Sequence, residues 1–133
     1  MAAEAKTTER FRQKLKSDLD EFWVQQMKDI KVLCDTNHDF KNHNDLPLAR
    51  IKRIMKSDED VRMIRAEAPV LFAKACELFI LELTLRSSCT TDKQEKRNLQ
   101  KLDITQAIAR TDILDFLHEV LMEKAREKAK SGK

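Results

Sequence analysis

The chain contains very little glycine and proline and no tyrosine. Its 133 residues include one Gly, two Pro and no Tyr, and the single glycine is Gly132, next to the last residue. Turns of β-sheet proteins and phosphate-binding loops need glycine, because glycine adopts positive φ freely and lets a phosphate approach the backbone closely. The shortage predicts an all-helical chain without a phosphate-binding loop.

Cysteines and long apolar runs are also scarce. The three cysteines, Cys34, Cys76 and Cys89, form no C-x-x-C pair, which favours a reducing compartment such as the cytosol or nucleus. Residues 1–12 lack the apolar run of a signal peptide. No stretch approaches the roughly 20 apolar residues that span a bilayer. We therefore expect an intracellular chain without a membrane segment.

Patterns of catalytic or metal-binding residues are missing as well. Cys34, His38 and His43 are residue types that bind zinc, but their scattered spacing in a turn-rich segment does not resemble a metal site. The acidic run at 58–60 is typical of a solvated loop rather than of paired catalytic carboxylates. We expect no enzymatic activity, no metal and no cofactor.

Charge and helical periodicity are what the chain has in abundance. Charged residues make up 37% of it, and between residues 19 and 33 apolar side chains recur at intervals of three and four, the spacing of one helical face. Helices are predicted to begin near Ser17, after Pro47, near Ala66, at Asp103 and at Thr111 or Asp112.

Polar stretches at both ends define the predicted domain boundaries. Residues 1–16 are mostly polar and charged, and we expect them to form a flexible arm. Residues 17–122 would form one helical domain, and residues 123–133 a charged tail.

The long helix, over about 66–90, is apolar on most of its circumference between residues 70 and 85. Such a helix must be buried on most sides, and the short helices offer too few large side chains to cover it. A large apolar patch left exposed is rare in soluble monomers, so the pattern predicts a dimer. A self-contained bundle covered by the helix at 19–33 is the alternative. The side chains expected at the dimer interface are Leu71, Phe72, Leu78, Phe79, Ile80, Leu83 and Leu85.

The sequence resembles a known family, the C subunits of nuclear factor Y. The segments that carry the resemblance are 46–56 (LPLARIKRIMK), 58–64, 66–86 (AEAPVLFAKACELFILELTLR), 99–104 and 110–117. Phe22, Trp23, Met27 and Ile30 resemble the additional amino-terminal helix of that family. The resemblance covers about residues 22–117 and implies a histone fold of short, long and short helices, with an extra helix at each end.

The resemblance also implies partners. A histone-fold chain of this family pairs with a B-type histone-fold subunit as an obligate heterodimer. The pair recruits an A-type subunit that reads a CCAAT box, while the dimer holds the flanking DNA backbone in the nucleus, after a cytoplasmic stage before dimerisation. The expected contacts with the third subunit are Asp112, Asp115, Phe116 and Glu119. From His118 onward the sequence lacks the proline that ends the family's last apolar run.

The charge distribution independently favours a role at DNA. Residues 46–111 hold thirteen basic and nine acidic side chains, and several of the bases lie at helix starts or in loops, where phosphates are bound without sequence reading. The candidate backbone contacts are Arg50, Lys52, Arg62, Arg65, Lys96, Arg97 and Lys101. Ordinary solvated charges are the alternative interpretation of each.

Two other functions share these features. One is an accessory histone-fold subunit of a chromatin, DNA polymerase or repressor complex that binds DNA without sequence specificity. The other is an adaptor that bridges regulators and uses DNA little. A coiled-coil scaffold is disfavoured, because apolar heptads are not sustained.

Overall fold

A computed structural model describes residues 1–35, 45–91 and 98–132, and the secondary structure within these ranges is helical, without strands. The α-helices are α1 (Ala2–Asp35), α2 (Leu48–Met55), α3 (Glu67–Thr91), α4 (Lys101–Ala109) and α5 (Phe116–Ser131), with a 3₁₀ turn at Asp112–Leu114. The all-helical class is confirmed, as is the order short α2, long α3, short α4 with an extra helix at each end.

Helix α1 is much longer than the sequence periodicity predicted. It begins at Ala2, so the prediction of a start near Ser17 is wrong. The half-buried positions Phe11 and Leu15 continue the stripe formed further on by Leu19, Phe22 and Ile30, at the spacing of one helical face. The segment predicted as an arm is therefore helical from residue 2 onward. Helix α1 runs through residue 16, and α5 runs through residue 122. The domain boundaries placed at these two residues stay predictions.

The chain divides into two compact units, one of residues 1–15 and 83–133 and the other of residues 16–82. In the second unit, Trp23 of α1 donates a hydrogen bond from Nε1 to Oε2 of Glu82 on α3 at 3.1 Å. The Trp23 ring also meets Phe22 edge to face, with centroids 5.2 Å apart. The hydrogen bond to Glu82 attaches α1 to α3 within that unit.

The loop between α2 and α3 is ordered by its own hydrogen bonds. Ser57 closes α2, because its backbone N–H and its hydroxyl both donate to the carbonyl of Ile54, at 3.1 and 2.6 Å. The backbone N–H of Asp60 donates to Oδ1 of Asp58 at 3.0 Å, an Asx turn of the kind that aspartate favours. The acidic run at 58–60 is exposed, as expected of a solvated loop.

Helix α3 begins where Pro69 predicts, since a proline lacks only an N–H that the first turn leaves unpaired. One face is half-buried or buried by the chain itself, and its members are Val70, Ala73, Lys74, Glu77 and Leu78. Within this face, Lys74 Nζ and Glu77 Oε1 form an ion pair at 3.3 Å.

The first unit is centred on α4, which contacts both the 3₁₀ turn and α5. Ala107, Ile108 and Leu114 are buried there. Asp103 is also buried, with 1% of its surface exposed, and its Oδ2 accepts the backbone N–H of Gln100 at 2.8 Å. Asp103 is therefore the third residue of α4 rather than the capping residue at which the helix was predicted to begin, and its carboxylate satisfies an N–H that the helix leaves unpaired.

We predict that Asp103→Ala lowers the free energy of unfolding by roughly 1–3 kcal/mol, because the N–H of Gln100 loses its helix-capping acceptor and the buried carboxylate side chain is removed. Asp103→Asn, which keeps an acceptor oxygen of the same shape, should cost less. Urea denaturation followed by circular dichroism measures both. Glu123→Ala, at an exposed position of α5, is the control. Equal stability of Asp103→Ala and this control would contradict the role given to Asp103.

Candidate subunit and nucleic-acid interfaces

The face of α3 opposite to its buried one is apolar and exposed. We call it the open face, and its members are Phe72, Ala75, Cys76, Phe79 and Ile80. Each of these residues lies two positions after a residue of the buried face, which starts at Val70. Two residues of an α-helix turn by roughly 200° around its axis. Phe72 and Ile80 are 54% and 52% exposed, and Leu71 beside them is 70% exposed. The chain therefore covers one side of its long helix and leaves the other side to solvent.

The seven predicted dimer residues fall into two groups. Leu71, Phe72, Phe79 and Ile80 are exposed on or beside the open face, whereas Leu78, Leu83 and Leu85 are half-buried by the chain itself. Leu81, 40% exposed, also adjoins the open face. The burial pattern favours the first group as the part of α3 available to a second chain.

Four predicted DNA-contact residues belong to one unit and are all exposed. Arg50 and Lys52 lie on α2, and Arg62 and Arg65 lie in the loop that leads into α3. The carbonyl of Arg65 accepts the N–H of Ala68 at 3.1 Å, so this arginine directly precedes the N-terminal turn of α3. Exposed cations beside a helix N-terminus are suited to phosphate groups, since the unpaired N–H groups there also attract anions.

Two further cations, one on α2 and one at its C-terminal cap, extend this basic surface. Arg53 and Lys56 are exposed, three and four residues after Arg50 and Lys52 respectively, a spacing that places each pair on one helical face. Their spacing was the signal in the sequence that could have added them to the candidates.

The remaining predicted cations lie elsewhere. Lys101 is the exposed first residue of α4, in the other unit. Lys96 and Arg97 lie outside the residues that the structure describes.

A third exposed surface combines acidic and apolar side chains at the start of α5. The predicted contacts Asp112, Asp115, Phe116 and Glu119 are all exposed on the 3₁₀ turn and the first turn of α5, or between the two. The exposed apolar neighbours that the prediction omitted are Ile113, Val120 and Met122. An acidic surface with apolar side chains is suited to a basic amphipathic segment of another protein.

Two other sequence expectations concern metal and membrane. Among the described residues, no group of three His, Cys, Asp or Glu side chains is arranged to hold a metal ion. The side chain of Cys34, and residues His38 and His43, lie outside the described part. The helices of the described ranges include none whose length and hydropathy would let it cross a membrane.

The short, long and short helices α2, α3 and α4, with the open face on the long one, define a class of protein. Residues 44–108 match the family of histone-like transcription factors (CBF/NF-Y) and archaeal histones. The matched residues contain α2, α3 and most of α4 and stop before α5. The fold is therefore a histone fold.

Within this class the chain is similar to curated plant subunits of nuclear transcription factor Y. It is 60% identical over 103 residues to the C-2 subunit of Arabidopsis thaliana, covering 77% of this chain and 49% of that protein. It is 60% identical over 103 residues to the C-4 subunit of Oryza sativa subsp. japonica, with 77% and 39% covered. The C-3 subunit of Arabidopsis thaliana is 56% identical over 119 residues, with 89% and 52% covered.

Over these matched residues the chain belongs to the family of C subunits of nuclear transcription factor Y. The chain spans about half or less of the length of these relatives. The names of the relatives are those of transcription-factor subunits, in agreement with the expectation of a chain that is not an enzyme.

Proposed function

We propose that this chain is the histone-fold C subunit of a heterotrimeric factor that binds the CCAAT box. In this function it pairs with a B-type histone-fold subunit, holds the DNA backbone without reading sequence, and helps to recruit an A-type subunit that reads the bases. The observation that carries the proposal is the open face of α3, an exposed apolar surface on the central helix of a histone fold.

Pairing is the step with the strongest physical support. Fully burying a Leu or Phe side chain stabilises by roughly 1.5–3 kcal/mol, and Leu71, Phe72 and Ile80 each have half or more of their surface left to bury. A second long helix that crosses the open face removes this area from water. Because the energy is available only in the complex, the stability of the chain depends on its partner.

Binding of the DNA backbone follows from the basic surface of α2 and the adjoining loop. Arg50, Lys52, Arg62 and Arg65 are exposed cations on short, ordered elements. Contacts to phosphate fix the position of a protein on DNA but carry no sequence information. A separate subunit must therefore read the CCAAT box.

The third subunit and the cellular location complete the proposal. Asp112, Asp115 and Glu119 are exposed within four residues of the exposed Phe116, so this surface suits a basic amphipathic helix supplied by an A-type subunit. The complex acts in the nucleus, and the unpaired chain passes through a cytoplasmic stage before it meets its B-type partner.

We predict that Leu71→Glu weakens pairing with a B-type subunit at least about tenfold, because a buried leucine is lost and a carboxylate is placed in an apolar contact. Coexpression followed by sedimentation of the two chains, separately and together, measures the pairing. The control is Val24→Glu, the same change of charge at a position on α1 that is 55% exposed. A wild-type chain that sediments as a compact monomer without exposed apolar surface would contradict the pairing proposal.

We predict that Arg50→Glu with Lys52→Glu weakens binding of the dimer to duplex DNA on any sequence, by about tenfold or more. The plot of log affinity against log salt should lose about 2 units of slope, since each phosphate contact contributes about 0.9. The matched control is Lys28→Glu with Lys31→Glu, two exposed lysines of α1. If both double variants reduce the slope equally, the effect comes from net charge rather than from this surface.

We predict that a stable shift of CCAAT-containing duplex DNA requires the B-type subunit, this chain and an A-type subunit together. A scrambled duplex should not support the three-component shift, because only the A-type subunit reads bases. A gel-shift titration with each component omitted in turn tests this. If both duplexes shift equally without the A-type subunit, the chain is an accessory subunit of a chromatin, DNA polymerase or repressor complex. If the chain keeps its function when it no longer binds DNA, it is an adaptor.

A further inference from the structure

The unit made of residues 1–15 and 83–133 contains a pocket that belongs to none of the three surfaces above. Its volume is about 450 Å³. It is lined by Phe11, Arg12 and Leu15 of the amino-terminal part of α1, by Arg86 near the end of α3, and by Arg110 at the C-terminal end of α4. None of these residues is on the open face of α3, among the predicted DNA contacts, or on the acidic surface of α5.

Three arginines line this pocket, and the residues that line it include no acid. Arg12 and Arg110 are exposed, and neither has an ion pair with any carboxylate in the described part of the chain. The guanidinium of Arg110 lies 5.8 Å from the centroid of the Phe11 ring. A cation–π contact of this kind positions the guanidinium but consumes none of its N–H donors.

The floor of the pocket is apolar. Phe11 and Leu15 are half-buried, and Ala107 is buried with 3% of its surface exposed. Arginine guanidinium groups bind carboxylates through paired hydrogen bonds, while an apolar floor accommodates a hydrocarbon or aromatic group. The combination fits a ligand that carries both a carboxylate and an apolar group.

The position of the pocket argues against DNA as its ligand. Arg110 follows the C-terminal end of α4, whereas the predicted DNA contact Lys101 is the first residue of that helix. Nine residues of helix separate the two by about 13 Å along the axis. A phosphate backbone also has no apolar group to place against Phe11 and Leu15.

We propose that this pocket, lined by Arg12, Arg86 and Arg110 over Phe11 and Leu15, binds an acidic peptide segment of a partner protein, with an apolar side chain on the floor and flanking carboxylates on the guanidinium groups of Arg12 and Arg110. None of the residues that line this pocket belongs to the surfaces proposed for pairing, DNA and the third subunit. A regulator bound there leaves the proposed DNA complex intact.

The test uses the full chain, alone and in complex with a B-type histone-fold subunit. The probe is a fluorescein-labelled peptide of about ten residues, glutamates with two phenylalanines, and its binding is followed by fluorescence anisotropy. Arg12→Gln with Arg110→Gln should weaken binding at least about tenfold, through loss of two charge-assisted contacts. The matched control is Arg10→Gln with Arg126→Gln, which removes the same charge from exposed positions of the same unit outside the pocket, and should change binding less than about twofold.

Circular dichroism of each variant checks that it is folded. If the double variant melts early, Arg12→Gln alone should still weaken binding about threefold, since Arg12 is exposed. Four results would overturn the proposal: equal losses in the pocket and control variants, equal binding of a peptide with Gln in place of Glu, loss of binding when the B-type subunit is added, or displacement of the peptide by a duplex of about 20 base pairs. Failure of B-type pairing or DNA binding, with peptide binding by the chain alone retained, would count against the proposed function and not against this pocket.

Discussion

The organisation of this chain depends on how much of α3 its own residues can cover. Val70, Ala73 and Leu78 are on the half of the helix that the chain shelters, and Phe72, Phe79 and Ile80 are on the half that stays exposed. A helix that is apolar on most sides must be covered on most sides. This chain covers only one half of α3. The proposed pairing with a second chain rests on this geometry. It also explains why short flanking helices suffice, since they need to cover only one side of the long helix.

The charged surfaces are arranged around this constraint. Because the open face is reserved for apolar contact, the exposed cations Arg50, Lys52, Arg62 and Arg65 lie on α2 and the loop that follows it. The start of that loop is held by the hydrogen bonds of Ser57 and Asp58, shortly before Arg62. The acidic and apolar side chains at the start of α5 belong to the other unit. The chain thus places its exposed apolar, basic and acidic side chains on different elements.

Local periodicity is enough to predict the class and the order of the central helices, because both depend on residues three or four positions apart. It does not separate the exposed Phe72 and Ile80 from the half-buried Leu78, because α3 is apolar on most of its circumference. The same rule extends α1 toward its true beginning, since Phe11, Leu15 and Leu19 continue one stripe, but the polar composition of residues 1–16 obscures it. The role of Asp103 is harder to assign, because an aspartate serves equally well as a cap or as the third residue of a helix. The pocket could not be predicted at all. Arg12 and Arg110 are far apart in sequence, and only the tertiary packing of α1 against the end of α4 places both beside Phe11.

Because of that packing, residues 11–15 of α1 have two roles: they anchor the amino-terminal part of the helix, and they line the pocket. Both roles follow from one helical geometry. Phe11 and Leu15, four residues apart, occupy one face and are half-buried. Arg12 is next to Phe11 in sequence, so it turns roughly 100° away from that face and stays exposed at its edge. Any α-helix that buries an apolar stripe carries its neighbouring side chains to the rim of the contact. Here the neighbour is a cation, and α4 ends opposite it with a second cation, Arg110, fixed over the Phe11 ring. The interaction that anchors the amino-terminal turns therefore also assembles a site for an anion.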